Sequence, residues 1–354
     1  MSVTSRERVR LALNHELPDR VPLDFGGIVT SFTYGAYRRF TEHFRIRDPQ
    51  ARVGGFKVMV DTDEEILSML GADFRNIYFS PAGDRWKTRV LQDGTMVDFW
   101  GIQYCDVGDY HEMRAHPLKN ATLQDLERFP WPDFSDKNAY LGLRERAEHL
   151  HRNTQYALVG TAAVNILERS QWLRGIEDFL VDLLVNQEFA VALMDRMLQL
   201  LKQFLDNYLE AIGDYIDVMC MGDDLATQTQ LIMSPELYRK LIKPRHAEAY
   251  AYIKKKTKAK IFHHSCGAVY PLIGDLIEIG LDILNPVQPR AAGMDKVNLK
   301  KQFGKNLCFW GGIDIQHTLP RGTPQEIREE VREAVRTLGS GGGYVLGPAH
   351  NVST

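Results

Sequence analysis

The stretch richest in side chains that bind metals or move protons is Lys260-Ile-Phe-His263-His264-Ser265-Cys266-Gly267. Its short apolar start reads as a strand, where residues two apart share a face, so His264 and Cys266 point one way and His263 the other. An imidazole and a thiolate on one face are two zinc ligands at workable spacing. Two ligands hold an ion weakly, so a third must come from elsewhere. His350, Cys220, Cys308 and His317 each stand near the end of an expected strand. Three protein ligands and an open fourth position make a catalytic zinc site. The plainer alternative is a buried thiol at Cys266 and a satisfied polar residue at His264, since His-x-Cys is short enough to arise by chance.

Acids and amides suited to the same place recur after other apolar runs. Asp223 and Asp224 follow Asp217-Val-Met-Cys-Met-Gly, where two adjacent acids could accept protons, orient a ligand cation or back up a metal-bound imidazole, or simply start a loop or cap a helix. Glu168, shortly after Gly160-Thr-Ala-Ala, reads as an acid at the mouth of the fold or as the partner of Arg169 or Arg174. Asp314 and Gln316 follow Gly311-Gly312, which allows close backbone approach to a ligand, and Asn285 and Gln288 fit the same rim. Asp223 and Glu168 are thus the expected catalytic pair, with Asp224, Gln288, Asp314 and Asn285 binding substrate. The triple glycine 341–343 reads as a loop rather than a phosphate cradle.

These residues need elements that bring them to one end. Expected strands are Tyr156-Ala-Leu-Val-Gly, Ile216 to Met221, Ala259 to His264, Ile283 to Val287, Leu307 to Gly311 and Tyr344 to Gly347, with a first one at Val21-Pro-Leu-Asp-Phe. Between them, Phe189, Leu193, Met197, Leu201, Leu205, Tyr208 and Ile212 keep helical spacing up to Gly213. Thr323-Pro324-Gln-Glu326 supplies an N-cap, a proline at the first position and a capping-box acid, and the helix closes at Gly339. Thr4 and Glu7 open an N-terminal helix in the same way. Strand-helix alternation means a parallel sheet covered by helices. Polar residues at the strands' C-terminal ends select an α/β (β/α)8 TIM barrel over a doubly wound sheet, for which no glycine-rich nucleotide loop exists. The run from about 73 to 117, with its Asp93-Gly94 turn, reads as a β-rich insertion in the N-terminal part of one domain spanning 1–354.

Lys and Arg number 43 against 46 Asp and Glu, a formal charge of -3 without long runs of one sign. That excludes a nucleic-acid footprint or a polybasic membrane patch and points to a small molecule or another protein as partner. The four cysteines lie far apart, behind a polar rather than apolar start, so free thiols or metal ligands in a reducing cytoplasm are expected in place of disulfides. Trp172 and the 186–212 helix are the candidate surfaces for a homodimer.

The residues together resemble the uroporphyrinogen decarboxylase superfamily, and within it the corrinoid-dependent methyltransferase branch. The motifs that carry this are Arg6-Glu-Arg-Val-Arg-Leu-Ala-Leu-Asn with Pro18-Asp-Arg-Val-Pro, Gly222-Asp223-Asp224 with Ser234-Pro-Glu-Leu-Tyr and Pro244, His264-Ser-Cys266-Gly, Phe309-Trp-Gly-Gly-Ile-Asp314, and Gly342 to Asn351. His264-x-Cys266 discriminates, because it is similar to the paired zinc ligands of the methyltransferase branch, whereas the decarboxylases use no metal. The resemblance implies a barrel whose zinc binds a heteroatom, with a methyl group moving between that atom and a corrinoid. In the thiol methyltransferases of this branch the third ligand is a cysteine near the C-terminus. Here no cysteine follows Cys308, and Gly347-Pro-Ala-His350 occupies the corresponding stretch, so His350 is the expected substitute. Family members continue into a closing helix, so the resemblance implies either more chain after Thr354 or a barrel without that helix.

The expectation is a zinc-dependent methyltransferase that takes a methyl group from a small O- or N-methylated substrate and passes it to a separate corrinoid protein. No Asp-x-His-x-x-Gly corrinoid signature occurs, Asp109-x-His111 failing at the glycine, so the cobalamin must arrive on that partner. Alternatives are a thiol methyltransferase accepting methyl from methyl-corrinoid, a tetrapyrrole decarboxylase, and a metal- or corrinoid-delivering protein without turnover. Against the decarboxylase stands the absence of the family's arginine-rich anion segment, replaced by Leu23-Asp24-Phe-Gly-Gly.

Overall fold

A computed structural model describes residues 3–46, 52–53, 57–60, 62–108 and 110–354, so Asp109 of the Asp-x-His pattern lies outside the described residues. Seven strands, β1 (Phe74–Ile77), β2 (Ala157–Thr161), β3 (Val218–Gly222), β4 (Lys260–His264), β5 (Ile283–Val287), β6 (Cys308–Ile313) and β7 (Tyr344–Pro348), pair in chain order. Every pairing among them is parallel.

The expected first strand closes this sheet into a ring. Leu23 forms a parallel bridge with Leu346 of β7. Asp24 donates its N–H to Leu346 O and Leu346 returns one to Pro22 O, both at 2.9 Å, while on the other flank Asp73 donates to Leu23 O at 2.8 Å. The stave is short because Pro22 has no N–H and the N–H of Leu23 is taken by Asp73 Oδ2 at 2.8 Å. Asp73, fully buried, is held by Arg8 and Arg20, each at 2.7 Å, so a pair of guanidiniums compensates the charge that anchors the first stave. Eight staves with helices outside form the (β/α)8 barrel.

The covering helices include α1 (Ser5–Leu13), α2 (Leu167–Arg174), α3 (Gln187–Ile212), α4 (Lys243–Lys256) and α5 (Pro324–Leu338). Both expected capping boxes form, Thr4 with Glu7 and Thr323 with Glu326, satisfying amides that the first turn would otherwise leave bare. Alternation along the staves sends Phe74, Val159, Cys220, Phe262, Ile283, Trp310 and Val345 into one apolar cluster inside the barrel. Trp310 packs 4.5 Å from Phe74 and 5.1 Å from Phe262, centroid to centroid. Truncating it to alanine would remove roughly 3–5 kcal/mol.

The 73–117 insertion is narrower than its expected bounds, because Phe74–Ile77 is a barrel stave. Apolar residues too few to show a period hid it. The inserted part is an antiparallel four-stranded meander, Arg89–Val90, Met96–Val97, Gln103–Asp106 and His111–Ala115, with Asp93-Gly94 at its first turn. Among the described residues no helix is long and apolar enough to cross a membrane.

Candidate active site

β4 ends at His264, two residues short of what a shared strand face for His264 and Cys266 requires. Cys266 is instead brought alongside by a turn pinned at three consecutive amides. Ser265 N–H donates to Asn285 O, Cys266 N–H to Asp224 Oδ1 and Gly267 N–H to Gln288 Oε1, each at 2.7 Å. Gly267 turns with φ +86°, and a Cβ there would stand 2.3 Å from Thr227 O, so only glycine fits. The result puts Cys266 Sγ 3.4 Å from His264 Nε2.

His350, two residues beyond β7, joins them. Its ring lies edge-on to that of His264 at 5.3 Å, and the ligating atoms of His264, Cys266 and His350 all lie within 4.8 Å of one another. Of the other third-ligand candidates, Cys220 is buried in the barrel interior and Cys308 packs at the opposite end, 3.5 Å from Leu13 O. His317 belongs to the turn after β6, its amide donating to Asp314 Oδ1.

These three residues fit a zinc ion. Nitrogen and sulfur ligands at about 2.1 and 2.3 Å from one tetrahedral ion stand about 3.6 Å apart, close to the observed His264–Cys266 separation. His264 Nδ1 faces Asn285 Oδ1 at 2.6 Å, while Asn285 Nδ2 donates to Trp310 O at 3.4 Å, which fixes the amide's orientation. That contact keeps the proton on Nδ1 and leaves the Nε2 lone pair for a metal, as outer partners of ligating histidines do. Burial and the neighbouring His264 lower the His350 pKa to about 3, so its ring is neutral. Burial and the carboxylates of Asp224 and Glu168 push the Cys266 thiol up.

Asp223 is buried and fully engaged. Its Oδ1 accepts Glu168 N–H at 2.7 Å, its Oδ2 accepts Ile166 N–H at 3.2 Å, and His246 Nε2 lies 2.9 Å from Oδ2. It therefore caps the start of α2 and sets the position of Glu168. Glu168 Oε2 accepts from Asn165 Nδ2 at 2.7 Å. Burial first, then the charges of Asp224 and Asp223, raise the Glu168 pKa to about 8. The carboxyl is thus protonated at neutral pH, a state matched to giving a proton away.

The surface ion pair weighed for Glu168 does not form. Arg169 instead stacks 4.7 Å over the Trp100 ring and 4.6 Å over Trp172, and burial lowers its pKa while Tyr104 and Asp98 support its charge. The meander thereby packs its Trp100 and Tyr104 against the residue next to Glu168. Asp314, expected at the substrate, spends its carboxylate on the amides of Gln316, His317 and Thr318. Gln316 shares that turn.

The buried partners of His263 and Asp223 escaped the sequence reading. His263, pointing away from His264 as expected, meets Tyr250 OH at 2.7 Å, and His246 meets Tyr238 OH at 3.4 Å. Tyr238, His246, Tyr250 and His263 form a buried layer between α4 and β4 that ends on Asp223. His246 and Tyr250 stand four apart on one helical face, beside Ala249 and Ile253, a pattern that could have marked His246 as a buried partner. Asp24 is the other residue passed over: it is interior-facing, 4% exposed, and accepts on Oδ2 from Thr30 Oγ1 at 2.6 Å and Trp310 Nε1 at 2.9 Å.

A sequence model of uroporphyrinogen decarboxylase (URO-D) matches residues 119–354, which contain Glu168, Asp223, His264, Cys266 and His350. The chain belongs to the uroporphyrinogen decarboxylase family. Among solved structures, this uroporphyrinogen decarboxylase family member is similar in fold to a methyltransferase from Methanosarcina mazei, 19% identical, with a TM-score of 0.65 over 99% of this chain and 94% of that one. A hyperthermophilic beta-glucosidase from Pyrococcus furiosus, 12% identical, overlaps 81% of this chain and 76% of its own at a TM-score of 0.36. No curated protein matches the sequence.

Proposed function

We propose that this family member is a zinc-dependent methyltransferase that moves a methyl group from a small O- or N-methylated substrate to a corrinoid carried by a separate protein. The observation that carries the reading is the convergence of His264 Nε2, Cys266 Sγ and the His350 ring within 4.8 Å, with His264 oriented by Asn285. A structural likeness to a protein described as a methyltransferase agrees with it.

Zinc held by these three residues would supply a Lewis acid that polarises the substrate heteroatom. The chain's own groups do the rest. Asn285 keeps His264 in its ligand tautomer, and Gln288 and Asp224 hold the turn that presents the Cys266 sulfur. Glu168 gives its carboxyl proton to the heteroatom as the methyl group leaves, with Asp223 holding its main chain and Asn165 its Oε2. Asp224, partly exposed beside the cluster, contacts the substrate from the rim.

The test has two parts. Elemental analysis of the purified protein should find one zinc per chain, lost when Cys266→Ser is combined with His264→Ala. Incubation with methylated donors and a reduced corrinoid protein should then give methyl-corrinoid. Zinc retained in the double variant would refute the ligand set.

A further inference from the structure

Asp24 is a buried carboxylate with half of its hydrogen-bonding capacity unused. Thr30 Oγ1 and Trp310 Nε1 both donate to Oδ2, and among the described residues nothing donates to Oδ1. Its strand neighbour Leu23 pairs with Leu346, so Asp24 shares the inward direction of Val345 and Gly347, over a floor of Phe74, Phe262 and Trp310. A chain of contacts links it to the ligand cluster: His264 to Asn285 at 2.6 Å, Asn285 to Trp310 O at 3.4 Å, and Trp310 to Asp24 at 2.9 Å. The loop that follows Asp24 is tied beside His350, where Ser31 N–H donates to Asn351 Oδ1 at 2.8 Å.

A carboxylate in such surroundings is costly unless a donor or a positive charge meets it. Among the described residues no basic side chain contributes to its environment; the charge that acts on it is a second carboxylate, Asp73. Burial first raises its pKa to about 6, and the two donors on Oδ2 work against that rise. Around the rest of the mouth stand the carboxylates of Asp223 and Asp224, with Glu168 protonated and neutral, while Arg169 is engaged with Asp98, Tyr104 and two indole rings. Even with a divalent ion held by a thiolate, acidic groups outnumber basic ones there. An anionic donor would meet repulsion, and a neutral one would leave Asp24 Oδ1 bare.

We propose that Asp24 binds a cationic group of the methyl donor, so that the substrate is a two-ended molecule: a methylated heteroatom faces His264, Cys266 and His350, and an ammonium group donates to Asp24 Oδ1. This rests on the methyltransferase reading for the first end only. The aromatic floor suits the second, since indole and phenyl faces attract cations. Asp24 is a specificity-determining residue on this account, remote from the bond that breaks.

The experiment compares three probes of one size on the zinc-loaded protein by calorimetric titration: O-methylethanolamine, whose far end is an ammonium, methyl propyl ether, which is neutral, and methoxyacetate, which is anionic. The amine should bind at least about tenfold more tightly than the ether, and methoxyacetate most weakly. In Asp24→Asn the preference for the amine should vanish while zinc content stays at the wild-type level. No measurable amine binding, equal binding of amine and ether, or a preference that survives in Asp24→Asn would each overturn the proposal. The wild-type comparison stands even if the buried Asp24→Asn substitution prevents folding. Failure of the methyltransferase reading shows separately, as absence of methyl transfer to a corrinoid protein while the amine preference persists.

Discussion

Asp223 Oδ1 accepts the main-chain N–H of Glu168 at 2.7 Å, so one acid of the mouth holds the backbone of the other. Behind it, His246 and Tyr238 complete a buried relay of contacts at 2.9 and 3.4 Å. Asp223 thus acts on Glu168 in two ways: it fixes the start of α2, and its charge is among those that keep the Glu168 carboxyl protonated.

Asp223→Asn should therefore lower turnover by tenfold or more with zinc content unchanged, and should destabilise the fold by roughly 1–3 kcal/mol, the cost of a mismatched buried polar contact. The informative readout is the pH profile. With the neighbouring charge gone, the alkaline limb set by Glu168 should move to lower pH. A profile that keeps its position while activity drops would assign Asp223 a purely structural part.

Glu168 itself makes a stability prediction of definite sign. Its folded-state pKa, raised to about 8 from 4.5, means the folded chain holds this proton more tightly than the unfolded one. Stability from this group is full below about pH 4.5 and is lost as the pH rises through about 8. Glu168→Gln removes the dependence, so its melting temperature should rise relative to wild type between about pH 5 and pH 9. Activity should meanwhile fall by roughly 10²–10⁴ through loss of the acid. A wild-type activity that keeps rising above pH 9 would contradict the proton-donor assignment.

Removing Asn285 tests the zinc site from outside its ligands. Asn285→Ala frees the His264 ring and should weaken zinc binding about 10–100-fold under chelator challenge. His350→Ala should do at least as much if the ring is a ligand. At present His350 Nδ1 accepts the Asn351 N–H at 2.8 Å, which places the proton on Nε2. Ligation through Nε2 requires that contact to break; a histidine that only donates to substrate keeps it. Full zinc occupancy in His350→Ala, with turnover lost, would identify the substrate-donating histidine.

Uroporphyrinogen should not be decarboxylated, although the chain belongs to the family named for that reaction. A substrate carrying several carboxylates needs cations in the cleft, and the interior offers Asp24 at that point of the first stave. Chromatography of the products should show no porphyrinogen with fewer carboxyl groups than the starting material.

The barrel was readable because its signals are local. Short apolar runs ending in polar residues, capping boxes at Thr4 and Thr323, and the helical period of Phe189 to Ile212 each need only a few neighbouring residues. Contacts across the ring left weaker traces. The spacing of His264 and Cys266 marks them as a pair, but it presumes a strand running through Cys266, whereas β4 stops two residues earlier and a turn pinned by Asp224 and Gln288 brings them together instead. Asp314 looked like a ligand residue because it follows two glycines; its carboxylate turned out to cap its own loop. Asp24 and His246 were missed because their partners, Trp310 and Asp223, lie 286 and 23 residues away. No periodicity reports such a pairing.

The short stave at Leu23 also makes closure of the barrel a long-range event. Ring closure joins residues 323 apart, counted across the Ile28–Asn351 contact, so it belongs to the slowest class of tertiary contacts to form. His350 follows the last stave in the chain, so it is synthesised after His264 and Cys266. A chain arrested before β7 would hold only two of the three proposed donors and would grip an ion poorly. A metal bound by the complete triad would stabilise the closed barrel over open forms, so tight zinc retention would report a completed ring.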